Sequence, residues 1–451
     1  MELDILLRGQ SNAFLLAADT GQAIAKEVQQ LLGFDGTNNQ VWVQDDWSTP
    51  GSETLVASTS FIGDWMTQGA NGQWLPTANE QGLLDYASQH QGATSTAVLW
   101  LHNEYDSFNP GLTTATWTAA VQAEAALLRA ALGETAAQSP YMFVSAIPFE
   151  GANDATEQAI RTGMEQLAAD PGFNAAIAAR AQDVDMTFRF PSEGPNTHLF
   201  GGDHMSSDDA NLVAHRIALS LAQEWAAYAQ PGSPVAQAGG NIANLGPEVV
   251  IAYQTDSNSL GVQLLPDVAT GLQALDPDAA NGLGWSVHTA DGQVIQADHA
   301  SITGGETLSL HFASALPTSG TLFYAYGSGR LAVDGNHPGE GNAVYDSAGL
   351  PAWTPASGIG YGATTAVTAT PAPGTTTDWN AIAAAQLDYH AATGGYWGGP
   401  LANLLAWDSA SQASAAATPG LAPPAADLTT DWNSLAATVL AHFAANGTWY
   451  L

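Results

Sequence analysis

Gly9-Gln10-Ser11-Asn12 follows directly on the apolar run Leu3–Leu7, so a serine stands in a glycine-opened turn at the end of an expected first strand. Open α/β sheets put their chemistry at the carboxyl ends of their strands. A serine nucleophile needs such a platform, with its hydroxyl exposed and backbone amides aimed at the oxyanion that forms on attack. The tetrapeptide alone reads equally well as a turn joining strand to helix. Two later stretches answer it. Trp100-Leu101-His102-Asn103-Glu104-Tyr105-Asp106 sets amide, imidazole and carboxylate groups where another apolar strand, Thr96–Leu101, stops. Gly201-Gly202-Asp203-His204-Met205-Ser206 then puts a histidine on a glycine-rich loop just before a long helix.

Together these residues meet the requirements of acyl transfer. Ser11 attacks a carbonyl carbon; His204 removes the serine proton and returns it to the leaving alcohol. Donors near Ser11, with His102 or Asn103, steady the oxyanion. Gln10 belongs to the same turn. His90, His198, His215, His288 and His311 read as surface or local packing residues.

The elements that must position these groups alternate in type. Strands are expected at Leu3–Leu7, Val41–Val43, Thr96–Leu101, Tyr141–Ile147 and Val184–Thr187. Helical patterns cover Gln22–Leu32, Gly82–His90, Thr116–Leu132, Ala155–Ala168 and Ser207–Ala227, the last opened by a capping box of Ser206 with Asp209. This predicts a mostly parallel three-layer α/β sandwich over residues 1–233. The loop from Ser48 to Thr77, polar and Trp-containing, reads as a binding surface and favours sugars over long acyl chains.

The three stretches resemble the nucleophile, second and histidine blocks of SGNH/GDSL-type hydrolases, in the branch of sialate O-acetylesterase-like proteins and acetylxylan esterases. The resemblance covers about the first 230 residues. It implies a flavodoxin-like, five-stranded parallel sheet and a Ser11–His204 esterase acting on O-acetylated carbohydrate, polysaccharide or sialic-acid-like, through an acyl-serine intermediate and with no metal or other cofactor. His102 stands where the family has Gln, the side chain expected to donate to the oxyanion; a neutral imidazole N–H could do so in a pH-sensitive way. Asn103 replaces Gly and is the alternative donor. Glu104 and Asp106 match the block as loop-bracing residues. Gly82 is the match for the oxyanion glycine. The catalytic Asp of the family falls three places before the His, where this chain has Gly201. Asp203 is the nearest carboxylate, and a backbone carbonyl is the alternative support for His204. Arg8 either binds substrate or pairs with a local acid.

Composition narrows the rest. The chain of 451 residues carries 43 acidic against 8 basic residues, a formal net charge of −35. Such a chain lacks the cationic footprint that nucleic acid or an anionic membrane requires. A neutral sugar polymer, a cationic surface or calcium on the acidic loops is compatible. Cysteine is absent, so no disulfide, thiolate metal site or thiol nucleophile exists. No cleavable signal or spanning segment is recognisable. An acidic, lysine-poor, cysteine-free chain fits bacterial proteins exported without a cleavable amino-terminal signal, and the expectation is a secreted protein.

Past Pro231-Gly232-Ser233-Pro234 the pattern shifts to short β-like pieces, predicting an accessory β-sandwich over 236–352. It resembles the sandwich that follows such esterase domains in some bacterial proteins, either binding carbohydrate or buttressing the catalytic loops. A Gly/Thr/Ala/Pro-rich linker is expected at 355–377 and a helical tail at 378–451. In that tail Asp378-Trp379-Asn380 recurs as Asp431-Trp432-Asn433. The rival function for the whole chain is carbohydrate binding or surface attachment with weak or lost esterase activity, which the glycine at 201 favours.

Overall fold

The run from Glu2 to Gly9 forms a strand (β1) whose side chains alternate across a sheet. Leu3, Ile5 and Leu7 enter one apolar core and Leu6 the other. The computed structural model describes residues 1–44, 59–145, 147–188, 202–333 and 342–362. The expected helical tail, the linker beyond Gly362, the first part of the Trp-containing loop, Gly201 and His198 lie outside them.

The chain continues through α1 (Ser11–Leu32), β2 (Gln40–Gln44), the hairpin strands β3 (Met66–Gln68) and β4 (Trp74–Pro76), α2 (Ala78–Gln89) and β5 (Ser95–Leu101). Then come α3 (Thr114–Leu132), β6 (Tyr141–Ser145), α4 (Asp154–Ala168), β7 (Ala175–Arg180) and α5 (Ser207–Glu224). The main sheet has five strands in the order β2-β1-β5-β6-β7, and every recorded pairing is parallel. Ala13, Leu16, Ile24 and Val28 of α1 join Val213, Ile217 and Leu221 of α5 in one core. Leu83 of α2, Trp117 and Val121 of α3, and Ile160 and Met164 of α4 build the other. The result is the three-layer sandwich of flavodoxin-like order, whose topological switch point falls between β1 and β5.

Two expectations are corrected. The first helix starts at Ser11, immediately after the strand, rather than at Gln22. The fifth strand is Ala175–Arg180, not Val184–Thr187. Its sequence, Ala-Ala-Ile-Ala-Ala-Arg, has helical propensity, and parallel pairing with β6 overrides it.

After α6 (Pro234–Gln237) come β8 (Glu248–Asp256), β9 (Ser259–Leu265), α7 (Pro277–Ala280), β10 (Trp285–His288) and β11 (Val294–Gln296). They are followed by β12 (His299–Gly304), β13 (Thr307–His311), β14 (Ser319–Tyr324) and β15 (Ile359–Gly362). These strands make two four-stranded antiparallel sheets, β11-β10-β14-β15 and β12-β13-β9-β8. Leu260, Val262, Trp285, Val287, Leu308, Leu310, Leu322 and Ile359 are buried. Ile359–Gly362 was read as linker; it pairs with β14 and extends the sandwich.

The α/β body and the sandwich fall within one unit, Met1–Gly362. Arg161 of α4 donates to the carbonyls of Ala325 (2.6 Å) and Gly327 (3.2 Å). The Tyr345 hydroxyl donates to Asp183 (2.8 Å), and the Arg180 guanidinium lies 3.6 Å from the Trp353 ring centroid.

Beneath the β1/β5 junction Arg8 is fully buried. It pairs with Glu80 of α2 (2.8 Å) and with Glu124 of α3, which also accepts from the Tyr141 hydroxyl (2.8 Å). The guanidinium lies 4.8 Å and 4.9 Å from the ring centroids of Trp65 and Trp100. Of the two roles open to Arg8, the geometry takes the acid pair. Arg8→Met should cost about 3–5 kcal/mol in denaturant unfolding, because it strands two buried carboxyls. Adding Glu80→Gln and Glu124→Gln should recover much of that loss; a triple variant no more stable than the single one would show that charge pairing is not what the cluster supplies.

Candidate functional site

Gly9 ends β1 opposite Leu101, the last residue of β5. A Cβ on Gly9 would lie 2.3 Å from the Leu101 carbonyl oxygen, so glycine is what lets the two strand ends close up. The chain then enters α1. Gln10 is its cap residue by position but makes no side-chain capping bond. The Gln10 carbonyl accepts from Phe14 N–H (2.9 Å). The N–H groups of Ser11, Asn12 and Ala13 therefore belong to the helix end that has no intrahelical acceptors. Ser11 is half-buried there, at the positive end of a 22-residue helix.

Asn12 is completely buried, and its carboxamide uses both ends. Nδ2 donates to the Asp203 carbonyl (3.0 Å) and to Glu104 Oε1 (3.2 Å); Oδ1 accepts from the Met205 N–H (2.9 Å). The two backbone partners flank His204. The residue after the serine thus holds the histidine loop on both sides of the histidine, and the β5 loop with it.

His204 is 8% exposed, and its carbonyl accepts from Phe188 N–H (3.2 Å). The capping box is present: Ser206 Oγ accepts from Asp209 N–H (3.1 Å), and Asp209 accepts from Ser206 N–H (2.9 Å). Asp209 also accepts from the N–H groups of Asp185 (3.0 Å) and Met186 (3.1 Å). It therefore ties the start of α5 to the segment after β7. Its capping role was legible; its reach to Asp185, set by tertiary packing, was not.

The other named residues take varied places. Gln10 spends its amide on the Thr59 carbonyl and accepts from Tyr105 N–H at 3.5 Å, so it links loops around the serine. His102 is sealed, with neither ring nitrogen hydrogen-bonded, against Trp65, Phe61 and Trp100. Burial, then the Arg8 charge, holds it well below the usual imidazole range and therefore neutral. It is a core ring in this structure rather than a donor facing the crevice. Asn103 donates through Nδ2 to Glu157 (3.1 Å) of α4, a partner not foreseen from the sequence. Glu104 accepts from Asn12 and from Asn103 N–H (3.2 Å), and Asp106 accepts from Ile62 N–H (3.1 Å). Gly82 lies in the second turn of α2, where the helical ladder takes its N–H, so it is not a free oxyanion donor. Asp203 is half-buried; its carbonyl is the group that meets Asn12.

The described part of the Trp-containing loop is also corrected. Trp65 is fully buried over Arg8 rather than displayed as a surface. Tyr105, Phe108 and Phe149 cluster with ring centroids 5.4–6.0 Å apart; Phe108 is exposed, Tyr105 half-buried and Phe149 buried. His215 and His311 each meet a surface carboxylate, Glu27 and Asp298. Among the described residues no group of three His, Asp or Glu is gathered that could hold a metal ion, so the calcium reading finds no ligand set there. Among them, too, no helix is long and apolar enough to cross a membrane.

No protein-family profile and no curated protein matches the chain. Among solved structures it is similar to a carbohydrate acetylesterase from Xanthomonas citri, at 15% identity over 78% of this chain and 79% of that one, with a TM-score of 0.48. It also matches the S-layer protein SbsC, at 12% identity over 80% of this chain and 35% of that one, with a TM-score of 0.21. These likenesses are remote, and the reading of the site rests on the chain's own residues.

Burial pushes Glu104 up to about 7 and Glu157 up to about 8. Both sit above their unfolded value, so the folded state binds these protons more tightly. Their stabilisation is fully present below about pH 4 and is lost as pH rises through 7 to 8. Each such proton is worth about 1.4 kcal/mol per pH unit across that window. The melting temperature should therefore fall between pH 5 and pH 8.5 even in high salt, which screens the general acidic repulsion. A midpoint that is flat or rising over that range would contradict the assignment.

Proposed function

We propose that this chain is a serine esterase that removes O-acetyl groups from carbohydrate. The observation that carries the reading is the Asn12 carboxamide. It holds both backbone neighbours of His204 beside the serine turn, at the switch point where such folds bind ligands, which supports pairing Ser11 with His204.

In the proposed reaction Ser11 Oγ attacks the acetyl carbonyl while His204 takes the hydroxyl proton. The unpaired N–H groups of the first turn of α1 receive the oxyanion. Collapse of the tetrahedral intermediate breaks the ester C–O bond, and His204 passes its proton to the departing sugar hydroxyl. Water, deprotonated by His204, then attacks acetyl-Ser11 and releases acetate and the free serine. Asp203, or a backbone carbonyl, orients the imidazole. Neither His102 nor Gly82 has a part in this scheme.

Two features favour a neutral sugar. Phe108, 42% exposed, and the half-buried Tyr105, whose N–H reaches Gln10 of the serine turn, offer aromatic surface. The described arginines, Arg330 among them, have protein partners and are not spare for a substrate carboxylate. Arg8, Arg129, Arg161, Arg180 and Arg216 are all committed to interior partners, and among the described residues Lys26 is the exposed basic side chain. This sets the sialic-acid-like substrate behind a neutral polysaccharide.

Wild type incubated with an aryl acetate should release acetate and take up a fluorophosphonate on Ser11. Ser11→Ala and His204→Ala should each lose about a thousandfold or more in kcat. Sugar binding with neither turnover nor adduct would replace the proposal with the lectin-like rival.

Substrate charge gives a separate check. A neutral acetylated xylan fragment should exceed a carboxylate-bearing acetylated sugar by about tenfold in kcat/KM at low salt, with the gap narrowing in about 0.5 M salt. A preference for the anionic sugar would overturn the neutral assignment and leave the esterase reading standing.

A further inference from the structure

From Ile217 to the end of the sequence one basic residue occurs, Arg330, and the sandwich segment delivers it to the candidate site. Its Nη2 donates to the Pro148 carbonyl at 3.4 Å and to the Gly202 carbonyl at 3.5 Å. Gly202 stands two residues before His204 on the loop that Asn12 holds from the other side. Pro148 is in the loop after β6 and is followed by Phe149 of the aromatic group. One guanidinium thus spans the histidine loop and the opposite rim.

The segment that carries Arg330 is fixed in place. Gly327 has φ +64°, and a Cβ there would lie 2.5 Å from Asp154 Cβ, so only glycine admits the chain so close to α4. Gly327 N–H donates to Gln158 (2.8 Å), Ser328 Oγ to Asp154 (2.7 Å) and Leu331 N–H to the Gln182 carbonyl (2.6 Å). Anchors therefore stand on both sides of the arginine. Its surroundings argue against a receptor for a substrate anion: burial lowers its pKa, and Asp185, Asp209, Glu150 and Asp203 are the acidic groups nearest in effect.

We propose that Arg330 is a positioning residue through which the sandwich sets the His204 loop relative to Ser11. The proposal rests on the esterase reading. Arg330 acts through the Pro148 and Gly202 carbonyls. With Asn12 it makes a two-sided clamp, one partner from the strand–helix turn and the other from the second fold. The sandwich is then part of the catalytic geometry and not only a cover for the α/β body.

The test uses the full chain with an aryl acetate, a substrate too small to need the rim. Arg330→Ala should lower kcat by about 10- to 100-fold, the scale of a displacement of about 1 Å, while KM changes less than about threefold. Methylguanidinium at about 20 mM, well below denaturing levels, should restore part of that kcat in Arg330→Ala and do nothing to wild type. Arg330→Gln, which keeps one planar amide donor, should fall between the two. Three outcomes overturn the proposal: unchanged kcat, a rise confined to KM, or a loss that follows the melting temperature in both variants without rescue. Failure of both variants to fold also overturns it, in favour of a purely structural arginine. Inactive wild type, by contrast, would remove the esterase reading itself.

Discussion

A single buried carboxamide fixes the relation between three loops that are far apart in sequence. Asn12 can serve two carbonyl-type oxygens and one N–H at once because its amide carries donors and an acceptor in one plane. It also follows Ser11 in the first turn of α1, so whatever it binds is held at a set distance from that serine. A buried polar group of this kind is costly when its partners are missing and specifying when they are present. The loops after β5 and before α5 therefore do not choose their positions independently. They are placed by a helix start that is itself placed by the near contact of Gly9 with Leu101.

Among the described residues most positive charge is interior material, Lys26 being exposed. Arg8 joins α2 and α3 beneath the sheet end, Arg161 and Arg180 face the sandwich, Arg216 pairs with Asp183, and Arg330 reaches the rim. Arginine suits this use because its planar fork satisfies several acceptors and stays charged when buried. The consequence is a surface almost without cations.

The parts of the fold that were legible are those where local chemistry and tertiary structure agree. The apolar run before Gly9, the end of α3 at Leu132 and the Ser206–Asp209 box all appear where the sequence placed them. The misses share one cause, local preference overruled by packing. Ala175–Arg180 has helical propensity yet is the edge strand β7. Ile359–Gly362 sits in a linker-like composition yet closes a sheet. His102 looked like a donor because it follows a strand end, but the aromatic walls of Phe61, Trp65 and Trp100 seal it. The positions of the three blocks, at the ends of β1 and β5 and before α5, were readable from the sequence. The Asn12 contacts and the position of Arg330 were not, because they join segments 92 or more residues apart.

The sandwich invites comparison with a detachable accessory module, and its contacts argue otherwise. An appended binding module needs an interface it can leave without stranding buried charge. Here the Arg161 guanidinium takes two of its acceptors from the sandwich side, the Ala325 and Gly327 carbonyls. Glu165 accepts from Ala356 N–H (2.7 Å), and Asp183 receives the Tyr345 hydroxyl. Removing the sandwich would leave a buried guanidinium short of acceptors and carboxylates short of donors, in a body whose sheet ends form the candidate site. The composition change at Pro231–Pro234 thus marks a change of architecture rather than a line of mechanical independence. A loop clamp built across such an interface is as rigid as the interface itself.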